Sequence, residues 1–71
     1  MPDPIDLLSA REQQVLRLTV GGLTTADTAQ RLGISPKSVE TYRSRLMSKL
    51  GIEGVPALVK FAIRRGIISV E

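Results

Sequence analysis

The stretch Thr24-Thr25-Ala26-Asp27-Thr28-Ala29-Gln30-Arg31-Leu32-Gly33-Ile34-Ser35-Pro36-Lys37-Ser38-Val39-Glu40-Thr41-Tyr42-Arg43-Ser44-Arg45-Leu46-Met47-Ser48-Lys49-Leu50-Gly51 decides the fold. Thr24 with Asp27 three residues on is a helix start, because a Thr hydroxyl can accept from the amide at the third helical position. Gly33 ends that helix. Ser35 starts another at once, with Pro36 at the first helical position, where its missing amide costs nothing. No breaker stands between Pro36 and Leu50, and Gly51 supplies a left-handed stop. A short helix over 25–32, a glycine-containing turn and a long helix over 36–50 make a helix-turn-helix. Ala26, Ala29 and Leu32 are expected to face inward from the short helix, with Ile34 plugging the gap between the two.

Working outward, Ser9 and Glu12 match the capping box Ser-x-x-Glu. A first helix over 10–20 follows, with Val15, Leu16, Leu18, Thr19 and Val20 on one face and Gly21-Gly22 as its stop. Gly54 and Pro56 open a last helix over 55–65. Leu58, Val59, Ala62 and Ile63 form its apolar side, and Gly66 closes it after Arg64 and Arg65, two cations suited to the negative end of the macrodipole. Ile67 and Ile68 read as an apolar tail folding back. The expected fold is all-α, a four-helix bundle with short loops and low contact order. Residues 1–8, with two prolines and two aspartates, read as a linker or the leading end of the chain, and 9–71 as the helix-turn-helix domain.

Composition removes most chemistry. A chain of 71 residues is one small domain, and it has neither Cys nor His. There is no thiolate, no imidazole base and no common zinc set, so no metal site and no cofactor are expected. The acids are scattered, so no carboxylate pair is apparent and no catalytic residue is assigned. No apolar run approaches the roughly 20 residues that cross a bilayer, and the N-terminus lacks the pattern of a signal peptide. The expectation is a soluble, cytoplasmic, non-enzymatic domain with no membrane partner. Its core is aliphatic: hydrophobic residues make up 42%, and Tyr42 and Phe61 are the only aromatics.

The net charge of +3 is unevenly spread. Arg11, Arg17 and Arg31 face Asp3, Asp6, Glu12 and Asp27 in the first half, a net −1. Lys37, Arg43, Arg45, Lys49, Lys60, Arg64 and Arg65 face Glu40, Glu53 and Glu71 in the second, a net +4. A basic half on a small domain points to a polyanionic partner.

The long helix shows how such a partner would be met. At roughly 100° per residue, Tyr42, Leu46 and Leu50 fall within about 60° of Val39 and form an apolar stripe toward the other helices. Lys37, Thr41, Ser44 and Ser48 lie about 140–200° away, a small, polar and partly basic face bordered by Glu40 and Arg45. The major groove admits one helix whose outer side chains are polar and uncrowded. Thr41 and Ser44 can donate or accept, the Thr41 methyl can touch a thymine methyl, and Glu40 can accept from a cytosine amino group. Lys37 has the reach for a phosphate or a guanine. Arg43 and Lys49, on the flanks, suit the sugar-phosphate backbone. Arg43 can equally pair with Glu40 one turn back, and Lys49 can lie along the edge of the core. Thr24 and Thr25 sit at a helix end that offers amides to phosphate, or serve as a cap only. Tyr42 reads as core rather than as a base-stacking platform. On the last helix, Val55, Val59 and Ile63 form a surplus apolar strip, either a dimer contact or a surface covered by the Ile67-Ile68 tail.

Taken together, Leu8-Ser9-x-Arg11-Glu12-x-x-Val15-Leu16, then Gly22-x-Thr24-x-x-x-x-Ala29-x-x-Leu32-x-Ile34-Ser35-x-x-Ser38-Val39-Glu40-x-Tyr42-Arg43, then Lys49-Leu50-Gly51 closely resembles the LuxR-type helix-turn-helix domain. That domain is the DNA-binding output of many bacterial response regulators of the NarL/FixJ class and of quorum-sensing regulators. The resemblance covers about residues 8–68. It implies double-stranded DNA as partner, major-groove binding through the long helix, and a homodimer on a two-fold site through the last helix. Its base contacts carry over to Glu40, Thr41 and Ser44. Its backbone contacts carry over to Thr25, Lys37, Ser38, Arg43 and Lys49, with Thr24 and Arg45 added from their positions. RNA polymerase and a separate regulatory domain are further partners that such a unit implies.

The chain departs from the family pattern in three places. Tyr42 stands where the family usually has His. Thr28 replaces a usual Ile, which predicts a slightly underfilled core. Gly54-Val55-Pro56 replaces a common Ser/Asn-Arg-x start, which removes a side-chain cap from the last helix. Region 4 of a sigma factor shares the helix-turn-helix, but the Lys-Leu-Gly run and a full fourth helix argue against it. A helical protein–protein module using the apolar strip is the alternative from a different class.

Overall fold

A computed structural model describes residues 4–67. It contains a 3-10 turn at Pro4–Leu7 and four helices: α1 Ala10–Val20, α2 Thr25–Leu32, α3 Pro36–Leu50 and α4 Val55–Arg64. There is no strand among the described residues. The all-α class and the helix-turn-helix formed by α2 and α3 are as expected. α4 ends one residue earlier than expected, because Arg65 is its C-cap.

Local hydrogen bonds account for the boundaries. At α1 the capping box is complete: the Ser9 hydroxyl accepts from the Glu12 amide at 3.2 Å and the Glu12 carboxylate accepts from the Ser9 amide at 2.7 Å. Thr24 accepts from the Asp27 amide and Ser35 from the Ser38 amide, each at 3.1 Å. α4 has Gly54 at its N-cap and no side-chain cap.

The four helix ends share one device. At the end of α2, Gly33 sits at φ 69°, and the Ile34 amide donates back to the Ala29 carbonyl at 3.0 Å. At the end of α3, Gly51 sits at φ 67°, and Ile52 donates to Met47 at 3.0 Å. Leu23 to Leu18 and Ile67 to Ala62 repeat the bond at α1 and α4. A left-handed residue followed by an apolar one is the Schellman stop, and Gly adopts that conformation without a Cβ clash. Ile34, Ile52 and Ile67 then pack against the core. Ile34, in the turn between α2 and α3, is thus partly buried against the core. Ile68 lies outside the described residues.

The core is aliphatic. Val15 and Leu16 of α1, Leu46 of α3, and Leu58 and Ala62 of α4 are fully buried, with Val39, Ala29, Val20 and Leu8 nearly so. α1 is the central element and packs against α2, α3 and α4. Tyr42 and Leu50 flank the buried part of α3.

Two expectations are corrected, and one is extended. Ala26 does not face inward: it is exposed, and Thr28 is buried instead. Only an arc running from Thr28 through Leu32 to Ala29 meets α1 and α3, and Ala26 falls on its far side at roughly 100° per residue. Residues 4–8 are not a free linker: the 3-10 turn packs on α3, Ile5 lies against the core and Leu8 is 5% exposed. Residues 1–3 lie outside the described part. Glu12 is more than a cap residue, since its side chain is buried beside Lys49.

Thr28 carries the cost of the departure in α2. It is 1% exposed, and its hydroxyl has no hydrogen-bond partner among the described residues. A buried unsatisfied hydroxyl costs about 1–3 kcal/mol. Thr28→Val, which keeps the shape and removes the polar atom, is expected to stabilise the domain by about 1 kcal/mol. Urea unfolding checks this, and an unchanged or lowered midpoint counts against it.

Candidate nucleic-acid interface

α3 reaches the surface as the outer helix of the helix-turn-helix. Val39 and Leu46 anchor its inner side, at 1% and 0% exposure. Lys37, Glu40, Thr41, Ser44, Arg45 and Ser48 are exposed on its outer side. Two adjoining shallow hollows run along this face: Ser35, Lys37, Ser38, Thr41, Tyr42 and Arg45 line one, and Lys37, Glu40, Thr41, Ser44 and Arg45 the other. The three residues expected to read bases therefore share one open concave surface with Lys37 and Arg45.

The hydroxyls on this face differ in what they still offer. The Thr41 hydroxyl donates to the Lys37 carbonyl at 3.1 Å, which leaves it acceptor capacity. The Ser38 hydroxyl is bonded to that of Ser35 at 2.9 Å. The Ser44 side chain makes no hydrogen bond among the described residues.

The cations of α3 divide more sharply than their spacing along the helix implied. Arg43 does not pair with Glu40. Its guanidinium donates to the Thr25 hydroxyl at 3.2 Å and ties α3 to the first residue of α2. These two expected backbone contacts thus form one unit beside the N-terminus of α2. Lys49 leaves from the opposite flank. Its ammonium pairs with the Glu12 carboxylate at 2.7 Å and donates to the Leu7 carbonyl at 3.4 Å. Lys49 is expected at a phosphate or along the edge of the core; the structure gives it this intramolecular partner, 37 residues away. The carboxylate it meets is 3% exposed, so the pair is half-buried. The Lys49 hydrogen bond, then the Ser9 amide, hold the Glu12 carboxyl below its usual value, against burial. Thr24 is engaged as a cap, which does not exclude a phosphate at the adjoining amides.

The Glu12–Lys49 pair is the feature sequence reading missed. Its only trace is that Glu12 belongs to the capping box, which fixes where the carboxylate starts but not what lies opposite.

On α4, Leu58 and Ala62 take the core side, and Val55 and Ile63 are each 40% exposed with Val59 half-buried between them. Part of the strip is therefore open at the surface. On another face of the helix, the Arg65 guanidinium lies over the Phe61 ring, 5.4 Å from its centroid. Among the described residues no cluster of acids could hold a metal ion, and no helix is long and apolar enough to cross a membrane.

Comparison with known proteins supplies the family. Residues 6–62 match the model described as bacterial regulatory proteins, luxR family. The transcriptional regulatory protein FixJ of Azorhizobium caulinodans is 45% identical over 64 residues, which is 90% of this chain and 30% of that protein. The crystal structure of full-length FixJ from B. japonicum superposes with a TM-score of 0.85 at 33% identity, over 93% of this chain and 32% of that one. The structure of a Vibrio cholera VqmA–ligand–DNA complex matches with a TM-score of 0.79 at 41% identity, over 90% of this chain and 28% of that one. The chain spans about 30% of the length of the curated relative just named. The fold, the motif and these matches agree: the chain belongs to the luxR family of bacterial regulatory proteins and is a LuxR-type helix-turn-helix domain, a non-enzymatic DNA-binding unit of transcription regulators.

Proposed function

We propose that this domain binds double-stranded DNA sequence-specifically, with α3 in the major groove, as the output unit of a bacterial two-component response regulator acting in the cytoplasm on the nucleoid. The observation that carries the reading is the outer face of α3. Lys37, Glu40 and Ser44 make no side-chain bond among the described residues and share one concave surface with Thr41. That is the form of a helix prepared to meet base edges. Glu40, Thr41 and Ser44 read bases. Lys37 and Ser38, in the first turn of α3, meet phosphate together with the helix amides, and the Thr25–Arg43 unit meets it at the end of α2. The VqmA structure, as described, contains DNA, which favours the same mode here.

Val55, Val59 and Ile63 form the homodimer contact in this reading. A two-fold dimer places two half-sites about 34 Å, or about 10 bp, apart. RNA polymerase and a regulatory domain are further partners. The exposure of Val55 and Ile63 also favours a second reading, a protein–protein module working through α4. Partner binding or self-association that persists when the charges of α3 are removed would support it.

The test is fluorescence anisotropy of a labelled duplex long enough for two half-sites, over a range of salt. Affinity should fall linearly on a log–log plot. Lys37→Ala should weaken binding to all duplexes alike and reduce the salt slope by about 1 per domain. Thr41→Ala and Ser44→Ala should instead change which sequence is preferred. If the three variants act alike on random and selected duplexes, the placement of α3 is wrong.

A further inference from the structure

The structure separates the cations of α3 by what each already holds. Arg43 is held by Thr25, and Lys49 by Glu12 and Leu7. Arg45 is exposed, makes no hydrogen bond or ion pair among the described residues, and lines both hollows of the outer face. We propose that Arg45 is a specificity-determining residue that reads a guanine in each half-site through its N7 and O6. This rests on α3 lying in the major groove, as proposed above.

Three features of the face lead to this assignment. Two of its hydroxyls are already engaged, since Thr41 donates to its own helix and Ser38 is paired with Ser35, and the Ser44 hydroxyl carries one donor where a guanine edge takes two. The long donors left on it are Lys37 and Arg45. Lys37 sits in the first turn, where the free amides of α3 already favour a phosphate. Arg45 lies eight residues on, about 12 Å further along the axis, and next to it stand the short side chains Thr41, Ser44 and Ser48. Short neighbours let the helix approach the base edges closely and leave room for one long side chain to lie across them. The planar guanidinium fork matches guanine N7 and O6 with two parallel hydrogen bonds, which an ammonium does not reproduce. A pre-existing bond such as those of Arg43 and Lys49 would have to break first, and Arg45 has none.

The experiment selects duplexes from a randomised pool with the wild-type domain and with Arg45→Ala and Arg45→Lys. Salt-dependent anisotropy on the selected and a random duplex follows, and circular dichroism establishes that each variant is folded. Arg45→Ala should lose preference for guanine at one position per half-site. It should weaken binding to the selected duplex about 5- to 150-fold per half-site, with little effect on the random one and an unchanged salt slope. Arg45→Lys should keep affinity for random DNA without restoring the guanine. The proposal is overturned if Arg45→Ala weakens both duplexes equally and lowers the salt slope by about 1 per domain, since Arg45 is then a phosphate contact. It is equally overturned if Arg45→Ala selects the wild-type sequence. Failure of the wild-type domain to bind any duplex at low salt overturns the DNA reading itself and is distinguishable from both.

Discussion

Leu46→Ala should lower the stability of the domain by about 3–4 kcal/mol, the cost of truncating a fully buried leucine whose surroundings cannot collapse into the gap. Leu46 is 0% exposed and belongs to a core with Val15, Leu16, Val39 and Leu58. Small domains have little in reserve: at roughly 0.05–0.15 kcal/mol per residue, this chain holds on the order of 5 kcal/mol. The thermal midpoint should drop by roughly 12–32 °C, at about 4–8 °C per kcal/mol for a domain this size. The loss falls on the inner side of α3, one residue from Arg45 and two from Ser44, so folding is linked to the DNA reading proposed for the outer face. A duplex that binds only the folded form adds about 2.7 kcal/mol at 100 times its dissociation constant. Saturating duplex should therefore restore much of the lost midpoint. Circular dichroism melts with and without duplex measure both effects. A midpoint within a degree or two of wild type would show that Leu46 does not hold α3 to the core.

The second large effect is at Glu12. One carboxylate oxygen accepts from the Ser9 amide and from the Lys49 ammonium, each at 2.7 Å, and the side chain is 3% exposed. Glu12→Ala removes the reciprocal bond of the α1 cap, worth about 1 kcal/mol, and the charge-assisted bond that ties α3 to α1. Lys49 is 42% exposed, so its ammonium turns to water and the pair is worth less than a fully buried one. The expected total is about 2–3 kcal/mol. Glu12→Gln keeps an acceptor for Ser9 and loses the charge, so it should cost about half as much. The pH dependence follows from the lowered carboxyl. The folded state holds Glu12 ionised more strongly than the unfolded state does, so the unfolded chain takes up the proton first as pH falls. The contribution is complete above the ordinary carboxyl value of about 4.3 and disappears as pH drops through the folded value. Denaturant unfolding of wild type and Glu12→Gln from neutral to acid pH should give a difference that is constant at first and then shrinks below about pH 4. A difference independent of pH throughout would mean that the charge of Glu12 contributes nothing.

Both predictions concern contacts that join distant parts of the chain, and these divide what was legible in the sequence from what was not. The helices were legible nearly to the residue. Ser9, Thr24 and Ser35 each bond an amide three positions ahead, and Gly33 and Gly51 let the next residue bond back into the helix just ended. Every partner in those bonds lies within five residues, so the spacing of residue types suffices. The inner stripe of α3 was legible for a related reason: a helix can hide only one side, and Val39, Tyr42, Leu46 and Leu50 fall on it. The outer face of Lys37, Glu40, Thr41 and Ser44 followed by exclusion.

The sequence by itself thus determined the elements, their order and which side of α3 faces outward. Tertiary structure alone decided which cations of α3 are already engaged. Arg43, Arg45 and Lys49 look alike in the sequence, yet Thr25 lies 18 residues from Arg43 and Glu12 lies 37 from Lys49. Only the packing of α2 and α1 against α3 brings those partners within reach. The same packing buries Thr28 in place of Ala26 and draws residues 4–8 onto α3. Helix caps are bonds between near neighbours in the chain, and periodicity records them. A charge finds its partner across the core, at a separation that no local pattern encodes.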